Sequence, residues 1–128
     1  MYNNAMQTYK NVDKATMSGR ETEARVLTLA ALKLKECQNN WDNDLKHEQL
    51  DAALRFNQQI WSIFQTELVK KDNPLPKNIK QDVLRLGAFI DKRIFDAMSF
   101  PSPEKLNIII KINQNLAAGL RGSASGTI

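Results

Sequence analysis

The side chains best suited to chemistry stand alone in this sequence. It has one histidine, His47, and one cysteine, Cys37. A zinc site asks for several such ligands in paired spacing, and a catalytic thiol asks for a neighbouring base. Neither arrangement is present. Cys37 reads as a small packed residue of a helix, and His47 as a solvated residue in the first turn of the next. The close carboxylates Glu21/Glu23 and Asp42/Asp44 fall where helices begin, so they read as capping and surface groups. Paired-carboxylate catalysis would need a cleft that no spacing here implies. Neither G-x-x-x-x-G-K-[ST] nor G-x-G-x-x-G occurs, so no phosphate cradle is expected. "GLRG" at Gly119–Gly122 has the spacing of an RNA-clamping loop, but that loop belongs to a mixed α/β domain. The expectation is a non-enzyme without metal or cofactor.

Charge narrows the partners. Eighteen basic and fourteen acidic side chains leave a formal net charge of +4. The basic residues closest together are Lys77, Lys80, Arg85, Lys92 and Arg93, and Asp82 and Asp91 dilute them. A solvated helix face is the simpler reading, with RNA binding as the alternative. A lone cysteine fits a reducing compartment. The N-terminal stretch lacks the apolar core of a secretory signal, and no window is apolar enough to span a bilayer. The expected location is the cytoplasm.

The elements that must carry these residues are helical. Ser18 followed by Glu21 matches a capping box. It opens a helix over about Gly19–Asn40, with Ala24, Leu27, Ala31 and Leu34 on one face. The candidate caps Asp42, Asn43 and Asp44 precede a second helix, about Lys46–Lys71. Its face repeats at three and four residues: Leu50, Ala53, Leu54, Asn57, Trp61, Phe64, Leu68. "DNPLPKN" stops it, and Pro76 opens a third helix to about Met98. Ile79, Val83, Leu86, Ile90 and Ile94 form its face, with Phe89 and Phe95 flanking. Gly87 within it implies close approach of a neighbour. Ser102-Pro103-Glu104 caps a fourth helix to about Ala118, with Gly119 as its stop. "NIIIKIN" is rich in β-branched residues but keeps helical spacing, and no other strand is available to pair with it. The chain is therefore expected to be all-α: a small four-helix bundle-like domain over residues 18–120. An N-terminal arm or short helix (1–17) precedes it, and a disordered tail (121–128) follows.

Two regions stand out as candidate partner-binding sites. One is the strip Asn57, Trp61, Phe64, Asn113 and Leu116 on the second and fourth helices. It is either core or interface; if it is core, Asn57 and Asn113 are placed to satisfy each other across the bundle. The other is the weak helical stripe Tyr2, Met6 and Tyr9.

"SGRETEARVL", "LDAALRFNQQIWSIFQTEL", "NPLPKNIKQDVLRLGAFIDKRIFDAM" and "PSPEKLNIIIKINQNLAAGL" follow one another in an order that resembles the flagellar biosynthesis regulator FlaF. The likeness covers about Tyr9 to Arg121, and "LRFNQQIW", "NPLP" and "INQNLAAGL" carry most of its specificity. The asparagine-rich start and the tail depart from it. The resemblance implies a small, non-enzymatic, cytoplasmic protein that promotes flagellin production and secretion. Flagellin would be its partner, with the regulator FlbT acting alongside. It brings no cofactor, no catalytic residue and no transferable binding motif.

Overall fold

The computed structural model describes residues 19–43, 46–68, 70–73 and 76–125. Among the described residues four helices of similar length make the fold: α1 (Gly19–Asn39), α2 (Lys46–Leu68), α3 (Lys77–Ser99) and α4 (Leu106–Ser125), with a 3₁₀ turn at Pro103–Lys105 before α4. No strand occurs among the described residues, and "NIIIKIN" is helical as its spacing implies. Each helix is about 30–35 Å long at 1.5 Å per residue, and joints this short make neighbours antiparallel.

Helix α1 is the centre of the packing. Its alternation of small and large apolar residues buries Ala24, Val26, Leu27, Ala30, Ala31, Leu34 and Cys37. The alanines let another backbone come close, and α4 packs along α1 more extensively than any other pair of helices. Helix α2 lies against α1, and α3 lies against α2. Helix α3 touches α4 only sparingly, so the ring of four is closed on three sides and loosely joined on the fourth. One continuous core joins Leu27 and Leu34 of α1, Leu54, Ile60 and Trp61 of α2, Ile90 and Ile94 of α3, and Leu106 and Ile109 of α4. At Gly87 a side chain would run into the Gln65 amide of α2, so the glycine marks the close approach that its mid-helix position implied.

The ends of the helices differ from the sequence reading in instructive ways. Helix α2 stops at Leu68, and Lys70 and Lys71 fall in the following turn, where Lys70 pairs with Glu67 at 3.0 Å. Pro76 occupies the N-cap position of α3 with extended backbone (φ −56°, ψ 148°) and is not its first helical residue. Ser102 is extended and in the cap position, but its hydroxyl makes no capping hydrogen bond. The corner is held instead by Gln38 at the end of α1. Its amide donates to the Pro103 carbonyl at 2.9 Å and to Asn107 Oδ1 at 2.7 Å.

The largest difference is at the end of α4. Gly119 does not stop the helix, which runs to Ser125 through residues expected to be disordered. Glycine costs about 1 kcal/mol in a helix, a weak preference that tertiary contacts override. Here Leu120 is buried. Arg121 donates to the Thr28 hydroxyl at 3.3 Å and pairs with Glu21 at 3.5 Å. Residues 1–18 lie outside the described residues, and with them the Ser18 side of the expected capping box.

Candidate functional site: a buried amide relay and an apolar flank

Asn57 and Asn113 are both fully buried, and they do satisfy each other. Asn113 Nδ2 donates to Asn57 Oδ1 at 2.6 Å. Asn57 Nδ2 in turn donates to the carbonyls of Ala53 at 2.9 Å and of Ala30, on α1, at 3.2 Å. The Trp61 indole N–H donates to Asn113 Oδ1 at 2.9 Å. The direction of this relay is fixed from both ends. An indole N–H can only donate, so Asn113 must turn its oxygen towards it and its nitrogen towards Asn57. Backbone carbonyls can only accept, so Asn57 must turn its nitrogen towards them. Both constraints agree, and three helices are joined by one consistent chain of hydrogen bonds. An unpaired amide in such a core costs roughly 1–3 kcal/mol, which is why two asparagines can sit there only as partners.

Around the relay, Trp61 and Phe64 close the core. Their rings meet edge to face with centroids 6.1 Å apart, and both are buried. Of the strip named from sequence, Asn57, Trp61, Phe64 and Asn113 are therefore brought together as interior. A partner could reach them only by opening the bundle. Leu116 is half-buried at the edge of the core. Tyr2, Met6 and Tyr9 lie outside the described residues.

The apolar surface that remains reachable lies elsewhere. On α4, Ile108, Ile112 and Leu116 follow at four-residue steps and are half-buried. On α3, Ile79, Leu86 and Phe89 follow at seven and three, the first two half-buried and Phe89 38% exposed. Arg93 lies over the Phe89 ring at 5.0 Å. Two further phenylalanines, Phe95 and Phe100, are about 70% exposed at the end of α3. A signal for this flank was present in the sequence: "NIIIKIN" carries more large aliphatics than one helix face can bury. Ile109, Ile110 and Asn113 take the interior, which leaves Ile108 and Ile112 on the side.

Few groups have altered acidity. Glu23, near the start of α1, has its carboxyl pushed up to about 7, first by burial and then by the nearby Glu67 carboxylate, with Arg20 opposing. Burial, helped by Glu36, pushes the Cys37 thiol up, the opposite of what a nucleophile needs. Among the described residues no cluster of three His, Cys, Asp or Glu could hold a metal ion, and no helix is long and apolar enough to cross a membrane. The basic residues of α3 do not form one strip. Arg85 is 3.9 Å from Asp82, and Arg93 lies over Phe89 on another side of the helix.

One family profile, described as "Flagellar protein FlaF", matches residues 5–120. No curated protein and no solved structure matches the chain significantly.

Proposed function

Because the chain belongs to the FlaF family of flagellar proteins, we propose that it is a non-enzymatic regulator of flagellum biogenesis. It promotes flagellin synthesis and secretion by binding flagellin as a chaperone in the cytoplasm. The family match over nearly the whole domain carries this reading. The physical support is a rigid helical body whose flank keeps large aliphatics half-exposed, the kind of surface on which an amphipathic helix lays its apolar face. The ends of unpolymerised flagellin are amphipathic in this way, and covering them would delay polymerisation and keep the subunit fit for export. Contact with the partner regulator FlbT is compatible with the same role.

Calorimetry and co-migration of the purified protein with monomeric flagellin test the proposal. Saturable heat with a joint elution peak is expected, and separate elution with no heat at tens of micromolar flagellin would sink it. The alternative, binding to flagellin messenger, finds little support in the scattered cations of α3. A shift assay on the messenger leader is expected to show no complex even at low salt, where phosphate contacts are strongest.

A further inference from the structure

The loosely joined side of the helix ring has a defined lining. Asp96 lies on the same flank of α3 as Phe89, seven residues on, and its carboxylate meets Lys105 at 3.1 Å. Lys105, the last residue of the 3₁₀ turn, stands three residues before Ile108 and seven before Ile112 of α4. That ion pair therefore ties the two apolar flanks together at the 3₁₀ corner. Helical spacing carries each flank on from that pair, to Phe89, Leu86 and Ile79 on α3 and to Ile108, Ile112 and Leu116 on α4. The two helices pack sparingly there, and all six side chains keep solvent exposure.

We infer that this seam between α3 and α4 is a docking groove for one amphipathic helix of a partner protein, with apolar residues on the inserted face and carboxylates along its edges. The lining on α4 spans about 12 Å and that on α3 about 15 Å, which fits two to three turns of helix. An inserted helix would present its own apolar anchors at i, i+3, i+4 and i+7, the spacing that helix-in-groove recognition uses. The edges decide the charge of the guest. Arg85 and Arg93 on α3, Lys105 at the corner and Lys111 on α4 stand with Asp82, Asp96 and Glu104, four cations to three carboxylates. Asp82 and Asp96 face Arg85 and Lys105, so a guest meets chiefly Arg93 beside Phe89 and Lys111 on α4. An inserted helix bordered by glutamates meets cations on both sides, whereas one bordered by lysines meets repulsion. The groove names the binding surface of the proposed chaperone; only the partner's identity rests on that reading.

The test uses two labelled synthetic helices with the same leucine stripe, one bordered by glutamates and one by lysines, titrated into the full chain and followed by fluorescence anisotropy. The acidic helix is expected to bind more tightly. Phe89→Ser and Leu116→Ser should each weaken it by at least about tenfold, as loss of a central apolar anchor does. Leu32→Ser, on the exposed side of α1, should leave binding unchanged. Arg93→Glu should shift preference towards the lysine-bordered helix, an outcome that simple destabilisation cannot produce. Circular dichroism melts identify any variant that has lost its fold, and the exposed site of Phe89 keeps at least that variant informative. Equal binding of both helices, binding of neither, or unchanged binding by folded Phe89→Ser and Arg93→Glu overturns the groove. Flagellin added as competitor separates the two claims. If flagellin binds without displacing the acidic helix, the groove is not the chaperone surface. If the acidic helix binds and flagellin does not, the groove stands and the chaperone reading falls.

Discussion

At Asn57 and Asn113 the cost of burying polarity has become a way of choosing one arrangement of helices. Replacing Asn57 with leucine strands the buried Asn113 amide, and a loss of roughly 1–3 kcal/mol is expected. Asn113→Leu should cost a similar amount because it strands the indole of Trp61 as well as Asn57. Since both single changes break the same bond, the double variant should be markedly less unstable than the sum. A urea double-mutant cycle should give a coupling of about 1–2 kcal/mol; additivity would show that the relay does not act as a unit. A second residue-scale prediction concerns Glu23. Its folded-state carboxyl is raised above the unfolded value of 4.5 to about 7. The folded protein thus holds a proton that the unfolded chain has released, and stability falls as pH rises from about 4.5 to 7. Glu23→Gln should flatten that slope and raise the melting temperature at pH 8, by no more than about 2 kcal/mol in stability given its partial exposure. Thermal melts across pH check it, and an unaltered slope would mean that burial and Glu67 do not raise the Glu23 carboxyl.

At the scale of the element, α4 shows what sequence signals can and cannot say. If burial of Leu120 is what carries the helix past Gly119, Leu120→Ala should cost about 2–3 kcal/mol. Arg121→Ala, which removes only an exposed ion pair and hydrogen bond, should cost less than about 1 kcal/mol. Chemical denaturation of the two variants decides it, and a larger effect of Arg121 would move the explanation from packing to charge. The four helices, their order and most of their buried faces were legible because apolar spacing and proline or cap residues act locally. The Asn57–Asn113 pair was legible too, since two amides on apolar strips have few other ways to be satisfied. Helix ends were less so. Pro76 and Ser102 sit at the right places but not in the expected roles, and Gly119 yields to contacts made with α1, distant in sequence. The half-exposed flank of α4 escaped because periodicity says which residues share a face, not how closely the neighbouring helix approaches it.

At the scale of the whole molecule, the helices are not held equally. Helix α1 is packed by both α2 and α4, whereas α3 is fixed mainly by α2. Hydrogen exchange should follow this order. Amides in the middle of α1, around Ala30 and Leu34, should be protected close to the global stability. Those of α3 around Leu86 to Ile90 should exchange through a lower-energy opening, and a bound helix in the seam should slow them selectively. Uniform protection across all four helices would contradict a loosely joined fourth side.

The pairing of α1 with α4 also has a consequence for how the protein is made. The broadest interface joins the first described helix to the last, and contacts such as Arg121 with Thr28 span ninety-three positions. A chain leaving the ribosome therefore presents α1 before the helix that covers it has been synthesised. Domains fold as units once their parts are available, and non-local pairing must wait for loop closure. Native closure of this core consequently has to await α4: a chain cut short before α4 would keep Leu27, Leu34 and the relay's acceptor at Ala30 uncovered. Such a product is expected to stay open, with its apolar α1 face in water, and not to fold partway.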